Sequence, residues 1–77
     1  MYTIWIKLNT IQKLKEFVAD CAAIDLDLEV AVGEHMANAK SLLGLMTLPL
    51  SGPLMLRANC ENEGQFELLN GLAKYEI

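Results

Sequence analysis

Apolar and polar residues alternate from Tyr2 to Leu8, with Tyr2, Ile4, Ile6 and Leu8 on one side and Thr3, Trp5 and Lys7 on the other. A period of two with β-branched members predicts a strand. Asn9 and Thr10 interrupt it, and either residue can cap a helix; Asn9 with Gln12 three positions on resembles a capping box. The spacing then changes. Ile11, Leu14, Val18, Cys21 and Ala22 recur at helical intervals, flanked by Phe17 and Ile24, while Gln12, Lys13, Lys15, Glu16 and Asp20 take the other side. An amphipathic helix of about fifteen residues follows from that pattern.

Alternation returns from Asp25 to Val32, with Leu26, Leu28, Val30 and Val32 inward and Asp25, Asp27 and Glu29 outward. Gly33-Glu34 is a two-residue hairpin turn with glycine first, and His35 to Asn38 forms the return strand. Ser41 is placed to cap a short second helix that ends near Thr47, before Pro49. Leu42, Leu43, Leu45, Met46 and Leu48 cover nearly the whole girth of that helix, more than one short helix on a sheet can bury. After the turn at Ser51-Gly52-Pro53, Leu54, Leu56, Ala58 and Cys60 alternate with Met55, Arg57 and Asn59, a fourth strand. Glu61-Asn62-Glu63 opens a final helix with acids near the positive end of its dipole; its stripe is Phe66, Leu69, Leu72 and Ala73.

The order β-α-β-β-α-β-α predicts an α+β fold of two layers, an antiparallel or mixed four-stranded sheet covered on one face by three helices. The expected core is Ile4, Ile6, Leu14, Val18, Leu28, Val30, Leu56, Phe66, Leu69 and Leu72. No linker, repeat or low-complexity run divides the chain, so residues 1–77 read as one domain.

Composition narrows the function. The 77 residues are 53% hydrophobic and carry a net charge of −4, so a nucleic-acid backbone would be repelled and no nucleic-acid partner is expected. No apolar stretch approaches the roughly 18 residues of a membrane span. Membrane insertion is not expected. A basic region followed by an apolar one is absent from the first residues, so a cytoplasmic protein is expected. Cys21 and Cys60 form no CxxC pair and fall at apolar positions, as reduced core thiols do. His35, the one histidine, has no local nucleophile to serve and reads as an exposed strand residue. Asp25, Asp27 and Glu29 alternate with apolar residues, which is the solvated face of a strand rather than a metal site. No glycine-rich phosphate loop and no HExxH is present, so no metal, cofactor or catalytic site is expected, and the chain does not read as an enzyme.

Ala39-Lys40-Ser41-Leu42, with Leu45, Thr47-Leu48 and Leu50 after it, resembles the regulatory-serine helix of HPr, the histidine phosphocarrier of the bacterial sugar phosphotransferase system. Phe17-Val18 matches the middle of the first HPr helix and Cys60-Glu61 the end of its last strand, all in one gapless register. The resemblance covers essentially the whole chain and implies an HPr-like open-faced sandwich with an antiparallel sheet. HPr carries its phosphoryl group on the histidine of a His-x-Arg-Pro-Ala pattern. In the same register this chain reads Thr10-Ile11-Gln12-Lys13-Leu14, with Thr10 at the histidine position and Gln12 at the arginine position.

The resemblance therefore implies an HPr-like protein without carrier chemistry, acting by contact with phosphotransferase components or a regulator. Ser41 matches the serine that an HPr kinase phosphorylates, and as a residue by itself it reads as a plain helix cap. A regulatory paralogue of the catabolite-repression type, switched at Ser41, is thus an alternative. Leu42, Leu43 and Met46 match the apolar patch that HPr presents to partners; Leu42 and Leu43 fit the core as well. A structural or oligomerising module built on that patch is a further alternative.

Overall fold

A computed structural model describes every residue from Met1 to Ile77. The strands are β1 (Tyr2–Ile6), β2 (Leu28–Val32), β3 (His35–Asn38) and β4 (Leu54–Ala58). The helices are α1 (Ile11–Ala22), α2 (Leu42–Leu45) and α3 (Glu63–Leu68), and a 3-10 helix runs from Asn70 to Tyr75. The sheet order is β1-β4-β2-β3 and every pairing is antiparallel. The helices cover one face and leave the other open.

The alternation read from the sequence is what closes the sheet. Ile4 pairs with Leu56 and Leu56 with Val30, so one inward residue of each strand meets the next. Leu14, Phe17 and Cys21 are the buried residues of α1, at the spacing that keeps one helix face on the sheet. Seventeen buried apolar residues form one cluster, and no polar side chain is buried. Ile4 and Val18 are only half-buried but pack against it.

Gly33 has φ of +59°, and no other residue type has a positive φ. A type I′ turn needs positive φ at both central residues; here only the first has it, the type II′ arrangement.

Several expectations are corrected. β1 ends at Ile6, although Leu8 beyond it is still buried, and β2 begins at Leu28 rather than Asp25. The β2–β4 ladder starts at Leu28 opposite Ala58, so Leu26 turns inward with no strand partner. Of the two candidate caps, Thr10 rather than Asn9 closes α1: its Oγ1 accepts from the Lys13 N–H at 3.1 Å. The last helix is broken. α3 buries none of its residues, and the chain tightens at Asn70-Gly71 into 3-10 geometry, which puts Leu72 and Tyr75 in line on the core. Phe66 is consequently 42% exposed and meets Tyr2 edge-on at 6.2 Å instead of entering the core. Ile11 is 56% exposed, because the buried face of α1 begins at Leu14 and continues through Phe17 and Cys21.

Candidate functional site

Two helix starts carry the residues of interest. At the first, Thr10 is extended (φ −131°, ψ 153°), its carbonyl accepts from Leu14 N–H and its hydroxyl from Lys13 N–H. Both acceptors are thus engaged in closing the first turn. No acidic residue lies in that turn. Gln12 points along the helix, its Nε2 donating to Glu16 Oε1 at 3.4 Å. A hydroxyl without an adjacent base is a weak nucleophile, so this helix start is a cap and not an activated group.

At the second, Ser41 Oγ accepts from Gly44 N–H at 3.1 Å. A Cβ on residue 44 would approach that oxygen to 3.1 Å, so glycine lets the capping hydroxyl come close. Thr47 Oγ1 donates to the Gly44 carbonyl at 2.6 Å and tightens the helix end. Backbone bonds from Thr47 to Gly44 and from Leu48 to Leu45 carry the turn on past α2, close to the expected end. Lys40 Nζ donates to the Ile24 carbonyl at 2.7 Å, tying the start of α2 to the chain just after α1. Ser41 therefore follows a residue anchored just beyond the C-terminal end of α1, whereas Thr10 caps the N-terminal end of that helix.

The apolar girth of α2 divides cleanly. Leu45 and Leu48 are buried and Leu42 is half-buried against the core, whereas Leu43 is 79% and Met46 53% exposed. Leu43 and Met46 are three apart and share a helix face. Of the three docking candidates, two form a free surface and Leu42 holds the helix down. The sequence placed Ile11 on the buried stripe of α1; exposed beside Thr10, it adds an apolar side chain there. Its position in the first helical turn was the available signal.

His35 opens β3, exposed, opposite Val32. Thr10 follows β1. The strands β1 and β3 are opposite edges of the sheet, three interstrand steps or about 14 Å apart. The imidazole and the start of α1 are not brought together.

Titrations around Asp20 are shifted for structural reasons. The Tyr75 hydroxyl and Lys74 hydrogen-bond Asp20 and hold its carboxyl below the ordinary range. Tyr75 is itself raised, first by burial and then by Asp20. Burial, with Asp20 beside it, pushes the Cys21 thiol up to about 12, an inert core group. Cys60 is half-buried at the end of the β4 segment.

Solved structures share this fold. HPr-C-His from Thermoanaerobacter tengcongensis matches with a TM-score of 0.74 at 22% identity, over 97% of this chain and 96% of its own. The phosphocarrier protein HPr from Bacillus anthracis matches with a TM-score of 0.75 at 21% identity, over 99% of this chain and 94% of its own. The fold is that of the HPr phosphocarriers. A Mycoplasma histidine-containing phosphocarrier protein has the same HPr fold at only 9% identity, with a TM-score of 0.69 over 94% of this chain and 89% of that one. No protein-family model matches the chain, and no curated protein matches it in sequence. The HPr fold gives the helix starts at Thr10 and Ser41 their common setting, on the helical layer above an antiparallel sheet. No helix is long and apolar enough to cross a membrane.

Proposed function

We propose that this protein is an HPr-like relative of the sugar phosphotransferase components that works by protein–protein contact, with α2 as its docking element and without phosphocarrier chemistry. One observation carries the reading: the start of α1 holds Thr10 as a hydrogen-bonded cap, with no imidazole near it. A carrier histidine works because a neutral ring nitrogen is nucleophilic and its phosphoramidate passes the group on. A threonine phosphoester is comparatively inert, and Gln12 offers no cation for the phosphoryl oxygens. The exposed pair Leu43 and Met46 supplies the contact surface, an apolar patch on an otherwise acidic protein. Partners are then phosphotransferase components or a regulator, met in the cytoplasm.

The test is incubation with phosphoenolpyruvate and the general phosphotransferase enzyme. The expected result is no acid-labile phosphohistidine, and a His35→Gln variant that behaves as the parent. Stoichiometric phosphate on His35, transferable to a sugar permease component, overturns the reading.

A regulatory paralogue switched at Ser41 is the second reading. The observation favouring it is that Ser41 is only half-buried and its oxygen already faces the Gly44 N–H, which a phosphate oxygen could keep as donor. Incubation with an HPr kinase and ATP separates the two. One phosphate on the parent and none on Ser41→Ala supports the switch; no phosphate on the parent removes it.

A further inference from the structure

The open face of the sheet carries one residue from every strand in a single apolar row. The register sets Trp5 opposite Met55, Met55 opposite Ala31, and Ala31 opposite Met36. Directly paired residues share a face, and these four alternate with the inward ones. Trp5 is 52% and Met36 58% exposed. Ile77 extends the row, its N–H donating to the Trp5 carbonyl at 3.0 Å. Ala31 is buried and yet stands outside the core cluster. On the same face, across β2, Arg57 Nη1 on β4 donates to Met36 Sδ at 3.8 Å. The neighbouring row reads Thr3, Arg57, Glu29, Asn38, with Arg57 Nε 3.7 Å from Glu29.

We infer that this face pairs with the same face of a second copy, about a two-fold axis that runs along the strands between β4 and β2. The order β1-β4-β2-β3 is what selects the occupant. Such an axis lays β1 over β3 of the second copy and β4 over its β2, so each row meets its own reverse. The apolar row then sets Trp5 over Met36, a favourable thioether–aromatic contact, and Met55 over Ala31, a long side chain over the smallest one in the row. The charged row sets Arg57 over Glu29 and Thr3 over Asn38. Each contact occurs twice by symmetry. An unrelated partner would need only an apolar surface; here both rows complement themselves when reversed.

The patch is small. Four strands at about 4.8 Å and five residues at about 3.4 Å give roughly 320 Å² per copy, under half of the ~800 Å² of a standard interface. The dimer is therefore weak, with self-association expected only at high protein concentration. The inference does not involve α2 and is independent of the docking role proposed for it.

Sedimentation equilibrium from about 10 µM to about 1 mM reads weak self-association. The weight-average mass should climb toward twice the monomer mass, and the emission of Trp5, the one tryptophan, should shift to the blue over the same range. Arg57→Glu alone and Glu29→Arg alone should each weaken self-association by roughly tenfold or more, through like charges. An equimolar mixture of the two variants should restore it, since each then meets the opposite charge. Loss of the Arg57–Glu29 contact within one copy cannot produce that rescue. Circular dichroism checks that the variants are folded, and Trp5→Lys should remain monomeric throughout. A monomer mass at every concentration overturns the inference. So does a dimer that Leu43→Glu abolishes and Trp5→Lys does not, or a mixture that stays as weak as its components.

Discussion

The hydroxyl of Tyr75 donates to Asp20 Oδ2 at 2.6 Å, joining residues 55 positions apart and fastening the 3-10 helix to the last turns of α1. The Tyr75 ring also stands edge-on to Phe17 at 5.1 Å. Tyr75→Phe keeps the ring and removes the hydroxyl. At pH 7 it should cost roughly 1 kcal/mol, because Asp20 is partly open to water and keeps Lys74 at 3.0 Å.

That cost should depend on pH. Asp20 is held below its ordinary value of 3.8 in the folded state, by Tyr75 first and Lys74 second. The stabilisation is present above the unfolded value and is lost as pH falls through the lower folded one. Urea unfolding of parent and Tyr75→Phe should give curves that differ at pH 7 and converge below the ordinary carboxylate range. An equal gap at both ends would remove Asp20 from the account.

Leu69 and Phe66 are three residues apart, but one is fully buried and the other 42% exposed. Leu69→Ala should cost about 2–5 kcal/mol. Phe66→Ala should cost about 1 kcal/mol, the edge contact with Tyr2 being its main loss. Comparable thermal midpoints for the two variants would show that α3 is packed differently.

The face of α2 admits a sharper contrast. Leu43→Glu and Met46→Glu should each stay within about 0.5 kcal/mol of the parent, since both side chains already stand in water. Leu45→Glu would bury a charge and should unfold the domain. Unfolding by Met46→Glu would make the patch core and end the docking proposal.

Gly33→Ala isolates the turn. A Cβ there meets nothing within 4 Å, so any penalty arises from the positive φ alone. The expected loss is about 1–2 kcal/mol, measured by denaturant unfolding.

The element order was legible because the hydrophobic period changes at each boundary, from two to 3.6 and back. Boundaries failed where alternation outlived pairing: Leu26 keeps the inward phase of β2, but the ladder begins at Leu28. Apolar stripe positions also overstated burial at both helix extremes. Ile11 and Phe66 have the right spacing, and spacing does not report whether anything stands opposite. Within α2 the pattern showed an excess of apolar residues; only the placement of the helix showed that Leu42 faces in and Leu43 and Met46 face out. The open-face row was invisible because it depends on register: Trp5, Met55, Ala31 and Met36 come from four segments that the sequence does not align.

Thr10 does structural service as the cap of α1. Threonine is among the residues that cap helices well, and the bond to Lys13 is worth about 1 kcal/mol. Imidazole lacks the short side-chain oxygen that closes this turn. Engineering a phosphoryl acceptor into the chain by Thr10→His would thus begin from a folding deficit, before any cation or acceptor geometry was supplied. A phosphoryl acceptor at that position would therefore take compensating changes elsewhere in the protein.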